Sequence, residues 1–277
     1  MHGHSKKNLQ KILCLCLFIL FVFALWKFAV FITETAPAGQ IESQSFAETL
    51  HIPQCAQKDG HERRDFAGFS ICYRELYEQA EWAAEKLTRS KLVKEASRSN
   101  NFRSDPLIST GSATPQDYAS SGYDRGHLVP AADMAWSNQS MDDSFYMSNM
   151  SPQSPGFNRG VWNRLENQVR SWAEEFGTVY TVSGPILENS SYPVIGANEV
   201  AVPDYYYKAI AACTDSGEWA AIGFILPNTS SSEPLGVFAV PVDEIEKRCA
   251  IDFFAQLPDD AENALEKDFN ASFWHLD

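Results

Sequence analysis

The 277-residue chain is 44% hydrophobic and 21% charged, the composition of a folded globular protein rather than a disordered one. Its 15 Gly and 14 Pro are too few for a collagen-like or low-complexity chain. With 22 Lys and Arg against 36 Asp and Glu, the formal net charge is −14, which excludes a generally basic nucleic-acid coat but not a local basic groove.

The amino terminus stands apart from that acidic body. Residues 1–33 carry Lys6, Lys7, Lys11 and Lys27 and no acid. Residues 12–32 form an apolar run interrupted only by Lys27, long enough to span a bilayer as a helix. Lysines before the run and Glu34 and Glu42 after it predict a signal anchor with its start in the cytoplasm. The body would then be periplasmic or extracellular, tethered to the membrane through residues 12–32. A cleaved signal peptide is the alternative, because residues 12–26 have h-region length and Ala36-Pro37-Ala38 is an A-x-A pattern. In that case the product is secreted. Residues 34–54 read as a linker with Pro37, Gly39 and Pro53, and residues 55–277 as a single domain.

Cys14 and Cys16 fall in the apolar run. Cys55, Cys72, Cys213 and Cys249 remain, an even number in a compartment that permits disulfides. Proximity favours the pairs Cys55–Cys72 and Cys213–Cys249; four buried free thiols are the alternative. No CxxC or Cys/His cluster exists, which speaks against zinc.

Residues 69–73 predict a strand, and 77–88 an irregular edge or short helix. Residues 122–128 approach a strand end, and 145–150 are a short apolar stretch. Val161, Leu165, Val169, Trp172 and Phe176 recur at steps of four and three, the spacing of one helix face, with Gly177 as the stop. Residues 179–183 predict a strand. Residues 205–213 and 219–226 predict a hairpin around Asp215-Ser216-Gly217. A helix starts at 242–247, and 251–254 supply apolar anchors. Strands mixed with scattered helices give an α+β class.

The chemistry concentrates at Asp124-Arg125-Gly126-His127. His2 and His4 precede the apolar run, His51 lies in the linker, and His61 and His275 stand in polar or terminal surroundings. His127 alone closes a predicted strand in a dense polar motif. A histidine is the usual general base near neutral pH, and an adjacent Arg suits a phosphate substrate. Read alone, the tetrapeptide fits equally a core histidine beside an Asp–Arg pair.

Downstream stand Ser148-Asn149-Met150-Ser151-Pro152-Gln153, then Phe157-Asn158-Arg159-Gly160-Val161-Trp162-Asn163-Arg164-Leu165-Glu166. Together with Arg98, Phe102, Asp105-Pro106 and Val182-Ser183-Gly184-Pro185, this ordered set resembles the DNA/RNA non-specific endonucleases, the endonuclease G-like branch of the ββα-metal (His-Me finger) nucleases. The resemblance spans residues 98–185, with weaker likeness at 202–208, 223–228 and 242–246. It implies a mainly antiparallel central sheet flanked by helices, and a ββα unit in which His127 ends a strand and Asn158 begins or precedes the long helix. It implies His127 as general base, and Asn158 as the one side chain on a divalent metal, Mg²⁺ with Mn²⁺ as substitute. Glu166 would hold metal-bound waters, Arg125 and Arg98 the phosphate, and Asn149 would support the site by hydrogen bonding. Arg103 competes with Arg98 for its role. DNA and RNA are the implied substrates; a homodimer is one of the oligomeric states left open.

Elementary geometry bears on the metal assignment. Eight positions on one α-helix separate Asn158 and Glu166 by about 12 Å and roughly 80°. Two side chains so placed do not easily reach one Mg²⁺ at about 2.1 Å, which makes Asn158 the direct ligand and Glu166 a holder of its waters. Residues 98–170 hold six Arg, no Lys and seven acids, nearly neutral within an acidic protein. That favours short-range phosphate contacts over long-range steering. For the arginines of 159–170 a solvated helix face is the plain alternative. Two other functions fit the same residues: a catalytically silent, membrane-tethered nucleic-acid-binding module, and a phosphodiesterase acting on a substrate other than nucleic acid.

Overall fold

The computed structural model describes residues 49–56, 60–189 and 191–276. The apolar run 12–32 and most of the predicted linker lie outside the described residues. Among the described residues no helix is long and apolar enough to cross a membrane.

Eleven strands are described: β1 (His61–Asp65), β2 (Phe69–Arg74), β3 (Gln79–Thr88), β4 (Asp124–His127), β5 (Met150–Gln153), β6 (Thr178–Pro185), β7 (Val194–Ile195), β8 (Val200–Ala201), β9 (Tyr205–Cys213), β10 (Trp219–Pro227) and β11 (Ala239–Val240). The α-helices are α1 (Asn138–Asp143), α2 (Asn163–Phe176), α3 (Val242–Cys249) and α4 (Asp259–Glu266). Seven strands form one sheet in the order β1-β2-β3-β6-β9-β10-β11. Every pairing in it is antiparallel. The α+β expectation and the large antiparallel sheet are both met.

Helix α2 follows the predicted stripe. Leu165, Val169, Trp172 and Phe176 are buried against Ile210, Ile222 and Phe224 of the sheet. Gly177, with φ +96°, ends the helix and donates its N–H to Ala173 O. Helix α3 packs on the other face: Phe224 stacks on Trp172 of α2, whereas a Cβ on the neighbouring Gly223 would meet Ile245 of α3 at 2.7 Å. Alternate residues of a strand face opposite sides, so the sheet is covered twice.

That double cover explains the segment 77–88. It is neither an edge nor a helix but β3, a ten-residue strand paired with β2 on one side and β6 on the other. Ala80, Trp82, Ala83, Ala84 and Leu87 are all fully buried. A strand buried on both faces loses the alternation that marks a half-buried one. Strand β1 was missed for the opposite reason: His-Glu-Arg-Arg-Asp is a polar edge, and edges carry charge to discourage further pairing. The end of the predicted linker is also corrected, since Leu50, His51 and Pro53 are buried.

Cys55 and Cys72 form a disulfide with Cα atoms 5.4 Å apart. The second predicted bridge is absent; Cys213 and Cys249 are free. Cys213 ends β9, whereas Cys249 of α3 lies near Tyr207, six residues earlier on that strand. At about 3.3 Å per residue the two thiols sit ~20 Å apart along the sheet, beyond the reach of a disulfide. Adjacency in sequence order misled because α3 crosses the sheet at the far end of β9.

Candidate active site

Strands β4 and β5 form a separate two-stranded ribbon, with His127 opposite Met150 and Gly126 opposite Ser151. Gly126 is required by close approach: a Cβ there would lie 2.2 Å from the side chain of Gln153. Asn149 fixes the chain leaving His127. Its Oδ1 accepts from Val129 N at 3.0 Å, its Nδ2 donates to Val129 O and Ser144 O, and its backbone carbonyl accepts from Leu128 N. It is fully buried, is not among the residues lining the cleft, and braces the strand end.

From β5 the chain enters a wide helical turn at Phe157–Trp162 and then α2. The regular path breaks at Gly160 (φ −107°, ψ −110°), so Asn158 and Glu166 do not share one uninterrupted α-helix. The 12 Å estimate therefore does not apply, and both residues line the same cleft. That cleft, of about 370 Å³, gathers Arg98, Arg125, His127, Asn158 and Glu166, five of the six predicted residues, together with Arg159 and Arg170.

His127 is 9% exposed, its ring set edge-on to Phe102 and Phe145 at centroid distances of 5.8 and 4.9 Å. The guanidinium of Arg125 lies over Phe102 at 4.1 Å and that of Arg98 over Phe145 at 4.9 Å. Burial, reinforced by Arg98 and Arg125, lowers the His127 pKa to about 3. The imidazole is thus neutral at any ordinary pH. Its Nε2 is enclosed without a hydrogen-bond partner. Arg103, the competitor of Arg98, is held by Asp142 at 2.7 Å and lies over Tyr146, outside the cleft.

Asn158 donates from Nδ2 to Asp124 Oδ2 at 2.9 Å, and Arg159 donates to both oxygens of Asp124. Burial raises the Asp124 pKa, but the bonds from Arg159 and Asn158 outweigh it and hold the acid ionised. With its amide nitrogen tied back, Asn158 keeps its carbonyl oxygen for another partner. Glu166 is pushed up to about 7 by burial, with Lys208, Arg170 and Arg98 pulling it down and Asp133 adding to the rise. Asn158 Oδ1 and the Glu166 carboxylate are hard oxygen donors, suited to a divalent cation with retained waters.

Behind the cleft lies a charged layer that sequence reasoning missed. Arg170 donates to the buried Asp133 at 2.6 Å. Buried Lys208 bonds Ser183 Oγ and lies over Trp162, and buried Glu85 accepts from Thr181. Asp124 stood inside the quoted motif, but its bonds to Asn158 and Arg159 join positions 34 and 35 apart. Of the arginines of 159–170, Arg159 and Arg164 are exposed, the first at the rim of the cleft against Asp124 and the second bonding Ser231 O and Glu233 O, whereas Arg170 is half-buried against Asp133.

A model of the DNA/RNA non-specific endonuclease family matches residues 47–260. The chain is 37% identical over 215 residues to "Nuclease EXOG, mitochondrial" of Danio rerio, covering 72% of this chain and 63% of that protein. It is 34% identical over 215 residues to "Endonuclease G, mitochondrial" of Homo sapiens, covering 73% of this chain and 71% of that protein. It therefore spans somewhat under two thirds of the length of some curated relatives. Among solved structures, a chain of the EndoG/EndoGI inhibition complex superposes with a TM-score of 0.69 at 31% identity, covering 76% of this chain and 91% of that one. The chain belongs to the DNA/RNA non-specific endonuclease family.

Proposed function

We propose that this protein is a metal-dependent, sugar-non-specific endonuclease that hydrolyses phosphodiester bonds of DNA and RNA in the cleft around His127. The observation that carries the reading is the gathering, in one cleft, of buried His127, Arg98 and Arg125 with an Asn158 whose amide nitrogen is already committed. Hydrolysis needs a base that is unprotonated at neutral pH, charge stabilisation on the phosphoryl oxygens and a stabilised leaving oxygen. His127 takes the proton of the attacking water; with Nε2 enclosed, Nδ1 is the nitrogen left for that water. Arg98 and Arg125 bind phosphate oxygens, each guanidinium steadied by the ring beneath it.

The donor set fits a hard divalent cation. Asn158 Oδ1 would be the direct ligand and Glu166 would hold the ion's waters, with Asp124 and Arg159 keeping Asn158 aimed. Magnesium, or manganese in its place, would supply charge neutralisation for the phosphoryl group when bound. Asn149 positions the strand end that carries His127. The test is cleavage of supercoiled plasmid and of single-stranded RNA by the full chain, with magnesium and with chelator. Nicking in magnesium alone is expected. Binding without cleavage would instead indicate a silent nucleic-acid-binding module, and hydrolysis of phosphodiester dyes alone a different phosphodiesterase.

Residues 12–32 we read as a membrane anchor that holds this domain outside the cytoplasm, for nutrient scavenging or defence. External protease on intact spheroplasts should digest the body while the protein stays in the membrane fraction. A body protected from protease would refute that topology.

A further inference from the structure

A second group of acids lies outside the cleft, where α3 meets the end of α4. Asp243 and Glu246 stand three positions apart on α3, on one side of the helix. Glu266 is the last residue of α4. Carboxylate oxygens from these three residues lie within 4.8 Å of one another. Glu266 is 4% exposed, and its Oε1 is enclosed with no hydrogen-bond partner. Glu262 Oε1, one turn earlier on α4, is also enclosed and unpartnered.

The cations of α3 are engaged elsewhere: Lys247 pairs with Glu244 and Arg248 with Glu188. One oxygen of Glu246 accepts from Phe253 N at 2.7 Å, which fixes that side chain. Burial and the nearby acids Glu246, Glu262, Asp243 and Asp252 push the Glu266 carboxyl up to about 9. A bound cation would relieve that charge and engage oxygens of the enclosed Glu266 carboxylate at the same time.

We propose that Asp243, Glu246 and Glu266 form a structural calcium site that pins α4 to α3. Calcium takes six to eight oxygens at about 2.3–2.6 Å, so two oxygens on one ion are at most roughly 5 Å apart. The observed grouping meets that limit. The charges of Glu262 and Asp252 also act on Glu266, and water would complete the coordination. The consequence reaches the core: beyond α4 the chain returns to place Trp274 edge-on to Trp172 of α2 at 4.8 Å, with Trp172 Nε1 donating to Trp274 O.

The test is thermal unfolding of the full chain in magnesium-free buffer, with chelator and with calcium, for the parent, Glu266→Gln and Asp243→Asn. At calcium 100-fold above its dissociation constant the parent should melt about 5–10 °C higher than in chelator. In chelator, Glu266→Gln should melt at or above the parent, because an uncompensated buried acid is gone; in calcium the order should reverse. Equilibrium dialysis should find one calcium ion fewer on Glu266→Gln, which separates this site from any calcium held in the cleft. Asp243→Asn, altering a half-buried side chain, should lose most of the shift if Glu266→Gln fails to fold. An equal calcium shift in parent and variants, no shift at millimolar calcium, or an equal shift with magnesium would overturn the proposal.

Discussion

The cleft and the α3–α4 junction are both rich in carboxylates, yet they are built on opposite plans. In and behind the cleft each of these acids faces a cation: Asp124 meets Arg159, Asp133 meets Arg170, and Glu166 feels Lys208, Arg170 and Arg98. At the junction the charges that act most strongly on Glu266 are those of other acids, Glu246, Glu262, Asp243 and Asp252. The first arrangement keeps oxygens fixed and in part ionised while leaving one imidazole neutral, which is what a hydrolytic site needs. The second leaves charge uncompensated, which a bound cation would correct. What an acid does is decided by what faces it, and its residue type alone says little.

The widest separation between the two regions should come from Asn158→Ala. Plasmid nicking should fall below detection while the melting temperature stays close to parental. Substitution at Glu266 should leave nicking in magnesium at the parental rate. If Asn158→Ala still nicks well, the cleft is not organised around that side chain.

A smaller loss is expected one step back from Asn158. Glu166→Gln should cut turnover about 10–100-fold, with partial rescue by raised magnesium, because it weakens the hold on the ion's waters. Asp124→Ala should cost a similar factor, because Asn158 then loses the bond that aims it. Rates unchanged in both variants would show that Asn158 needs no support.

The pH prediction follows from the sign of the His127 shift. A folded pKa near 3, below the usual 6.5, means that the base function is lost only as pH falls through about 3. NMR titration should therefore find no His127 transition between pH 8 and 5. Arg98→Ala removes one repelling charge and should move the transition upward, toward 6.5. A parental transition near 6.5 would mean that burial and the two arginines do not control the ring. The mildest effect concerns salt: with about three phosphates neutralised, log affinity against log salt should have a slope of roughly −3. A slope near −8 would reveal an extended basic surface.

Much of the fold was legible because its signals were local. The stripe from Val161 to Phe176, the Gly177 stop and the hairpin at Asp215-Ser216-Gly217 each span neighbouring residues in the sequence. Strand β3 was not legible, because burial on both faces erases its alternation. The site divides the same way. His127, Asn158 and Glu166 stood in ordered motifs, whereas Asp124 acts through bonds to residues 34 and 35 positions away. Phe145 looked like part of a plain apolar stretch until it packed against His127. The wrong Cys213–Cys249 pairing has the same root, since proximity in sequence says nothing about which end of β9 a helix crosses.

The most direct measurement is single-turnover cleavage of plasmid by His127→Ala at saturating magnesium, alongside separate assays of magnesium and DNA binding. Removing a positioned general base should lower the rate about 10²–10⁴-fold with both bindings intact. A near-parental rate from the purified variant would contradict the assignment of His127 as the base.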